Sequence, residues 1–265
     1  MSYVHIVTVG VSLASNFEKE KSGKRVPEEE IETKLAQMTT AEKTQYVKRL
    51  LKYAQDKYQT GEIAEASAEL NALTRYLKEM SIAYLLHTDT NLGECCAKAL
   101  KQYLENQGPK VAEPIQITGL HSPETFQKGL AHLVHETANI LENHKNVRIC
   151  ATGGFKPEIA IASVLGFIAQ APVYYIHETF KRQIQLPALP IDWKHPIQKY
   201  QKALKALTTA GERGIEKTKF IQAFGQENRD AFLNNWLIEE QENRYTATEI
   251  SLAILKAMQT LYKST

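Results

Sequence analysis

The sequence is short of cysteine, and its cysteines are poorly placed for cross-linking. The 265 residues include only Cys95, Cys96 and Cys150. Adjacent cysteines rarely pair with each other, and an odd number suits a reducing compartment. No CxxC pair occurs, which argues against a thiolate zinc site. We therefore expect free thiols, no metal and no cofactor.

Long apolar runs and a strong charge of either sign are also lacking. No segment approaches the roughly 20 apolar residues of a membrane span, and a strand that begins almost at Met1 leaves no room for a signal peptide. The formal net charge is only +2, so a polyanion could bind only at a local site. These features predict a cytoplasmic protein without a membrane partner.

Two common nucleotide-binding motifs are missing. Neither GxxxxGK[ST] nor GxGxxG occurs, so ATP hydrolysis and NAD binding lose support. What the chain does contain is an alternation of short β-rich segments with amphipathic helical segments. This alternation predicts an α/β fold with a Rossmann-like, doubly wound, mostly parallel sheet. The predicted strands are residues 3–9, 82–88, 114–118, 147–152 and 172–177, with an edge element at 182–191.

The segments between the first two strands predict one mobile loop and two helices. Residues 18–27 are polar and are interpreted as the loop, while 27–58 and 62–79 have helical periodicity. Thr40 is the predicted N-cap, with Lys43 where a capping box would have Glu. Further helices are predicted at 91–107, 122–142 and 157–169.

The pattern changes near Trp193–His195, where we place a domain boundary between 1–193 and 194–265. Beyond it the order is helix, helix, turn, helix, hairpin and a final helix, which is typical of a winged helix-turn-helix domain. The third helix, 226–236, carries Glu227 and Asp230 against Arg229, and the hairpin tip at 239–243 is acidic. DNA binding is therefore only weakly supported, behind dimerisation or gating of a pocket.

Two loops that follow strands are the best candidates for a ligand site. Ligands of open parallel sheets bind at the carboxyl ends of the strands, where glycines allow backbone amides to approach a phosphate. A lysine at the second loop would add a positive charge. Together these loops predict an anion cradle, formed by Gly10, Val11, Ser12 and Leu13 with Thr152, Gly153, Gly154, Phe155 and Lys156.

Structural alternatives exist for several of these residues. A glycine after a strand is commonly a tight turn, and Thr88 to Asn91 are first interpreted as a helix N-cap cluster on the ligand side of the sheet. His132 and His135 lie one helical turn apart, but without a third ligand we interpret them as surface residues.

The segments VGVSL (9–13), TGGFKPEIA (152–160) and PVYYIHE (172–178) resemble the CRISPR-associated CARF proteins of type III systems. The similarity is greatest to single-CARF ring nucleases with a winged helix, although Val11 stands where the family often has Thr. The resemblance implies a homodimer that binds cyclic tetra-adenylate across its two-fold axis. Relatives with a HEPN ribonuclease need an RxxxxH motif, which this chain lacks.

Two functions remain. The first, which we favour, is a metal-independent ring nuclease in which a ribose 2′-hydroxyl attacks the adjacent phosphate and leaves a 2′,3′-cyclic phosphate. The second is a transcriptional regulator that responds to the ligand through the winged helix. The predicted catalytic residues are Ser12 and Lys156. The predicted ligand-binding residues are Gly10, Val11, Leu13, Thr88, Asn91, Thr152, Gly153, Gly154 and Phe155.

Overall fold

A computed structural model describes residues 2–176, 182–186, 194–235 and 237–263. Its larger sheet has the strand order β3-β2-β1-β5-β6-β7, with β4 also paired to β2. The pairings are parallel except for that of β7 with β6. The mostly parallel sheet is compatible with the predicted Rossmann-like fold. The strands are β1 Tyr3–Val9, β2 Met80–Thr88, β3 Lys110–Val111, β4 Ile115–Ile117, β5 Val147–Cys150, β6 Val173–Ile176 and β7 Gln183–Leu186.

Helices cover both faces of this sheet. Successive residues of a strand point to opposite faces, and accordingly Ile6 and Val7 of β1 are both fully buried but belong to two different apolar clusters. One cluster involves α1, α3, α5 and α6, and the other involves α7 and α8. The helices are α1 Ser12–Ser22, α2 Glu28–Ala36, α3 Thr40–Gln59, α4 Ile63–Ala66, α5 Ala68–Leu73, α6 Asn91–Asn106, α7 Phe126–Asn143 and α8 Lys156–Ile168.

The segment between β1 and β2 differs from the sequence-based prediction in two places. The predicted loop at 18–27 is helical as far as Ser22, and Gly23 ends α1 in the left-handed conformation with φ 72°. The predicted helix 27–58 is two helices, α2 and α3. The N-cap of α3 is Thr39 rather than Thr40, because Glu42 rather than Lys43 completes the capping box. Thr39 Oγ1 accepts the Glu42 N–H at 3.3 Å, and the Thr39 N–H donates to Glu42 Oε2 at 2.7 Å.

The predicted helix at 62–79 is also broken, into α4, α5 and a 3-10 turn at Thr74–Tyr76. The break occurs at Ser67, whose extended backbone (φ −157°, ψ 140°) ends α4 and begins α5. The Ser67 hydroxyl accepts the Leu70 N–H at 3.3 Å and so caps α5. A serine competes with helical hydrogen bonding in this way because its side chain can replace a backbone partner. This break lies just before Glu69, the residue that fills the candidate site.

The C-terminal residues form a smaller sheet with its own buried cluster, which includes Phe220, Phe232 and Tyr245. The sheet is antiparallel with the order β8-β10-β9. The predicted hairpin tip at 239–243 is shorter, because β9 extends to Gln241. The elements are α9 Lys194–Ala210, β8 Ile215–Glu216, α10 Lys217–Phe224, α11 Gln226–Asn234, β9 Ile238–Gln241, β10 Arg244–Ala247 and α12 Glu249–Lys263, with a 3-10 turn at Gly211–Arg213.

Helix α12 links the C-terminal elements to the larger sheet. Its residue Ala257 is 4% exposed and belongs to the apolar cluster that contains Leu133 and Val134 of α7, whereas Leu255 belongs to the C-terminal cluster. The boundary predicted near Trp193 falls partly on residues outside the described ranges, so it stays a prediction. Within those ranges, no helix has the length and apolar character that crossing a membrane requires.

Candidate functional site

The loops that follow β1 and β5 meet at the carboxyl edge of the sheet. Strands β1 and β5 are neighbours with Val7 opposite Cys150, so both chains leave the sheet at the same place. A methyl group on Gly10 would lie 2.6 Å from the Gly154 N and 3.3 Å from the Gly153 Cα. The two loops predicted to form a cradle are therefore in direct contact, and only glycine allows this approach.

A buried carboxylate from α5 occupies the space between the two loops. Glu69 is 1% exposed, and its Oε1 accepts the Gly10 N–H at 2.7 Å. Its Oε2 accepts the hydroxyl protons of Ser12 at 2.9 Å and Ser67 at 2.5 Å. A methyl group on Gly153 would overlap Glu69 Oε1. The anion at the base of the predicted cradle is thus one of the protein's own side chains.

Ser12 lies at the first turn of α1 and is half-buried. Its hydroxyl donates to Glu69 Oε2 and accepts the Ala68 N–H at 3.3 Å. A serine hydroxyl has one proton and two lone pairs. With the proton directed at Glu69 and one lone pair directed at Ala68, one lone pair is left for a ligand. In this arrangement Ser12 presents an acceptor to the site.

The β5 loop is held by a second buried glutamate. Glu158 is 3% exposed, and its Oε2 accepts the Phe155 N–H at 2.6 Å. Gly154 has φ +93°, a conformation that favours glycine, and a methyl group there would overlap Glu158 Oε2. Burial raises the pKa of Glu158 to about 7, and the hydrogen bond from Phe155 opposes that rise only in part. Glu158 therefore changes charge near neutral pH.

Lys156 and Phe155 are the exposed residues of this loop. Lys156 begins α8 and is exposed, and the Phe155 side chain is 46% exposed. The positive charge of Lys156 and the first N–H groups of α8 both favour an anion beside the loop. The exposed aromatic ring is of the kind on which a nucleobase stacks.

The residues that follow β2 form a separate hydrogen-bonded cluster at the same edge. Thr90, a member of the predicted N-cap cluster, caps α6 and accepts the Gly93 N–H at 3.0 Å. Glu32 of α2 accepts the N–H groups of Asn91 at 3.1 Å and Leu92 at 2.8 Å, as well as the Asn91 Nδ2 at 2.6 Å. The N-terminus of α6 is therefore occupied by an internal carboxylate, as the β1 loop is.

Several other predicted site residues also have structural contacts. The Leu13 side chain is 1% exposed and belongs to the apolar cluster that contains Val7. Val11 packs against that cluster, and Thr88 is 6% exposed. The Thr152 hydroxyl accepts the Ile176 N–H at 3.2 Å and so ties the β5 loop to β6. Because Leu13 is buried, only its backbone could reach a ligand.

Sequence reasoning missed the three glutamates that organise this edge. Glu158 has a recognisable signal, because it stands at the third position of α8, where a glutamate commonly bonds back to the residue before the helix. Glu69 has no such signal, since its partners Gly10 and Ser12 precede it by 59 and 57 residues.

Among the residues that the structure describes, no group of three or more His, Cys, Asp or Glu side chains could hold a metal ion.

A comparison with known protein families finds a similarity that covers part of this edge. Residues 64–189 match the model of a family described as CRISPR-associated protein (Cas_APE2256). The matched range includes the β5 loop with Lys156 and the glutamates Glu69 and Glu158, and it begins after the β1 loop. The match supports the assignment of this chain as a CRISPR-associated protein.

Proposed function

We propose that the protein is a CARF-type ring nuclease that binds cyclic tetra-adenylate as a homodimer and cleaves it without a metal ion. The observation that carries this proposal is the contact between the β1 and β5 loops, with Lys156 exposed directly beside it. The resemblance of the VGVSL and TGGFKPEIA segments to CARF proteins supports this ligand, and the family match supports a role in a CRISPR system.

The outer face of α8 supports the homodimer. Lys156, Ala160 and Val164 are all exposed, and residues four apart lie on one face of a helix. Val164 is 45% exposed, a large fraction for a valine side chain. A second copy packed on this face across a two-fold axis would bring the two Lys156 side chains to one ring. Two-fold symmetry would then give two equivalent cleavage sites on the cyclic tetranucleotide.

The reaction we propose is an in-line displacement within the bound ring. A ribose 2′-hydroxyl attacks the adjacent phosphorus, the 5′-oxygen leaves, and the linear product ends in a 2′,3′-cyclic phosphate. Lys156 would stabilise the additional negative charge of the pentacoordinate phosphorane, which is a stronger interaction in the transition state than in the bound substrate. Ser12 would fix the attacking ribose, and the N-terminus of α8 would favour the phosphate.

The decisive experiment incubates the purified protein with labelled cyclic tetra-adenylate in EDTA and resolves the products. We expect linear adenylates with a 2′,3′-cyclic phosphate end, and calorimetry should give one ring per two chains. Absence of binding at micromolar ring concentration would remove both the sensor and the nuclease proposals. Binding without cleavage would leave a cyclic-oligoadenylate sensor.

A ligand-responsive regulator is the second candidate, and the position of α12 favours it. This helix packs on α7 of the larger unit while Leu255 packs in the C-terminal cluster, so a shift of α7 would reach the proposed winged helix. DNA contact by that unit is nevertheless weakly supported. Arg229 of α11 is paired with Asp230 at 2.9 Å, and Lys217 is paired with Glu240 of β9 at 3.2 Å.

A gel-shift titration with random duplex DNA at physiological salt tests the regulator. We expect weak retention, because a paired cation releases few counterions from DNA. Nanomolar, salt-sensitive binding to a specific duplex, altered by the ring, would favour the regulator over the nuclease.

A further inference from the structure

The hydrogen-bond direction at Ser12 is set by its neighbours. The Ser12 hydroxyl donates its proton to the buried Glu69 Oε2 at 2.9 Å and accepts the Ala68 N–H at 3.3 Å. A hydroxyl arranged in this way cannot also donate to a phosphate oxygen. It can accept a proton from a ligand, and the ligand group of a ribonucleotide that offers one beside a phosphate is the ribose 2′-hydroxyl.

The hydrogen bonds that Glu69 accepts come from neutral groups. It accepts three hydrogen bonds, from the Gly10 N–H and the Ser12 and Ser67 hydroxyls. In the part of the chain that the structure describes, no lysine, arginine or histidine forms an ion pair with Glu69. A proton can therefore pass along the hydrogen bond from Ser12 to Glu69 without an ion pair of Glu69 having to break.

We propose that Ser12 and Glu69 form a proton relay, in which Glu69 is a positioning residue that acts on the attacking ribose through Ser12. This inference rests on the proposed nuclease function and adds a residue to it. Glu69 does not touch the ligand. It fixes the acceptor direction of the Ser12 hydroxyl and takes the proton that Ser12 gives up.

The proton and electron movements balance without a metal. The 2′-hydroxyl transfers its proton to Ser12 Oγ, whose own proton passes to Glu69 Oε2, while the 2′-oxygen uses an electron pair to form a bond to phosphorus. The phosphorus–5′-oxygen bond breaks, and the 5′-oxygen takes a proton from water. The resulting hydroxide is neutralised when Glu69 returns its proton through Ser12, so the protein ends in its starting state.

The substitution Glu69→Gln separates this relay from a purely structural role. Glutamine retains the size of the side chain, but its amide nitrogen would donate to Ser12 and reverse the hydrogen bond. We expect the single-turnover rate at saturating ring to fall about 100-fold, as on removal of a general base. The ring Kd should change less than about threefold. Glu105→Gln, the same change at an exposed position of α6, is the control and should keep the rate within about threefold.

A double-variant cycle and a solvent isotope measurement complete the test. In a Ser12→Ala background, Glu69→Gln should lower the single-turnover rate by less than about a further twofold, because the relay is already broken. With the wild-type protein, the rate in mixtures of H2O and D2O should follow a curved line, which indicates two moving protons. This measurement does not depend on whether a variant folds.

The possible failures are distinguishable. Wild-type protein that does not cleave the ring would overturn the nuclease itself. If the wild type does cleave the ring, three results would each overturn the relay alone. They are a wild-type rate for Glu69→Gln, fully multiplicative losses in the double variant, and a linear isotope plot.

Discussion

The loops after β1 and β5 share three features, yet the two are stabilised differently. Each contains glycine, each begins a helix, and each contacts a buried glutamate. Glu69 at the β1 loop accepts three hydrogen bonds, from a backbone amide and two hydroxyls. Glu158 at the β5 loop accepts one, from the Phe155 N–H. One donor offsets the cost of burying a carboxylate only in part, so the pKa of Glu158 rises to about 7.

This difference separates two tasks within one site. The β1 loop is fixed by a network that joins α1 to α5, and its polar groups are directed inward at Glu69. The β5 loop directs its cation and its aromatic ring outward, and its buried glutamate changes charge near neutral pH. Under the proposed function, the β1 loop would supply geometry and the β5 loop would supply charge and contact to the ligand.

The largest loss of stability is expected from a substitution at the contact between the two loops. Gly153→Ala would place a methyl group on Glu69 Oε1 and 2.6 Å from the Gly10 N. We expect a loss of about 3 kcal/mol in the free energy of unfolding, from overpacking together with weakened hydrogen bonds to a buried carboxylate. Chemical denaturation measures it.

Gly61→Ala is the control for an added methyl group that meets no neighbour. Gly61 has φ +77° and no neighbour within 4 Å of an added methyl group, so only backbone strain of about 1 kcal/mol is expected. Equal losses for the two variants would show that the loops do not depend on each other.

Lys156→Ala tests whether the β5 loop supplies the charge. We expect the single-turnover cleavage rate to fall about 100-fold, equivalent to roughly 2.7 kcal/mol in the barrier, while the ring Kd weakens less. The reason is that the cation interacts more strongly with the phosphorane than with the diester. Lys145→Ala, at an exposed position before β5, is the control. A wild-type rate for Lys156→Ala would assign this lysine a binding role or none.

The sequence predicted the edge of the sheet but not the way in which it is filled. The alternation of strands and helices gave the mostly parallel sheet, and the glycines marked loops that do meet. Glu69 was missed because its role depends on residues far away in the chain. It also depends on the break at Ser67, within a segment whose sequence predicted one continuous amphipathic helix. Thr39 was missed for a smaller reason, since two adjacent threonines compete for one cap and only Thr39 has a glutamate three residues on.

Glu158→Gln tests the proton-sensitive half of the comparison. The pKa of Glu158 is about 7 in the folded protein against 4.5 as the ordinary value. The folded state therefore binds more protons than the unfolded state between these pH values, and stability falls as the pH rises through this window. Below pH 4.5 Glu158 is protonated in both states, so burying it carries no ionisation cost. Above pH 7 it is ionised in both states, and the full free-energy cost of burying the charge lowers the stability.

Glutamine cannot ionise, so the variant escapes this cost. We expect Glu158→Gln to be more stable than the wild type by about 2 kcal/mol at pH 8 and to show no such gain near pH 4.5, by chemical denaturation. Glu142→Gln, at an exposed position of α7, should show no difference between the two pH values. A gain that does not depend on pH would mean that Glu158 is not the titrating group.

The smallest effect on stability is expected at Phe155, where the β5 loop meets solvent. The side chain is 46% exposed, so Phe155→Ala should change the free energy of unfolding by less than about 0.5 kcal/mol. If the Phe155 side chain stacks on an adenine, the variant should nevertheless bind the cyclic ligand roughly fivefold more weakly, a loss of about 1 kcal/mol in binding free energy. Tyr58→Ala is the matched control, because Tyr58 is 44% exposed and lies at the end of α3, away from both loops. Calorimetric titration of both variants measures the difference. The β1 loop offers no exposed aromatic side chain in its Gly10–Leu13 segment, so a loss of affinity confined to Phe155→Ala would place base recognition on the β5 loop. Equal affinities for Phe155→Ala and the wild type would leave that loop with the charge of Lys156 alone.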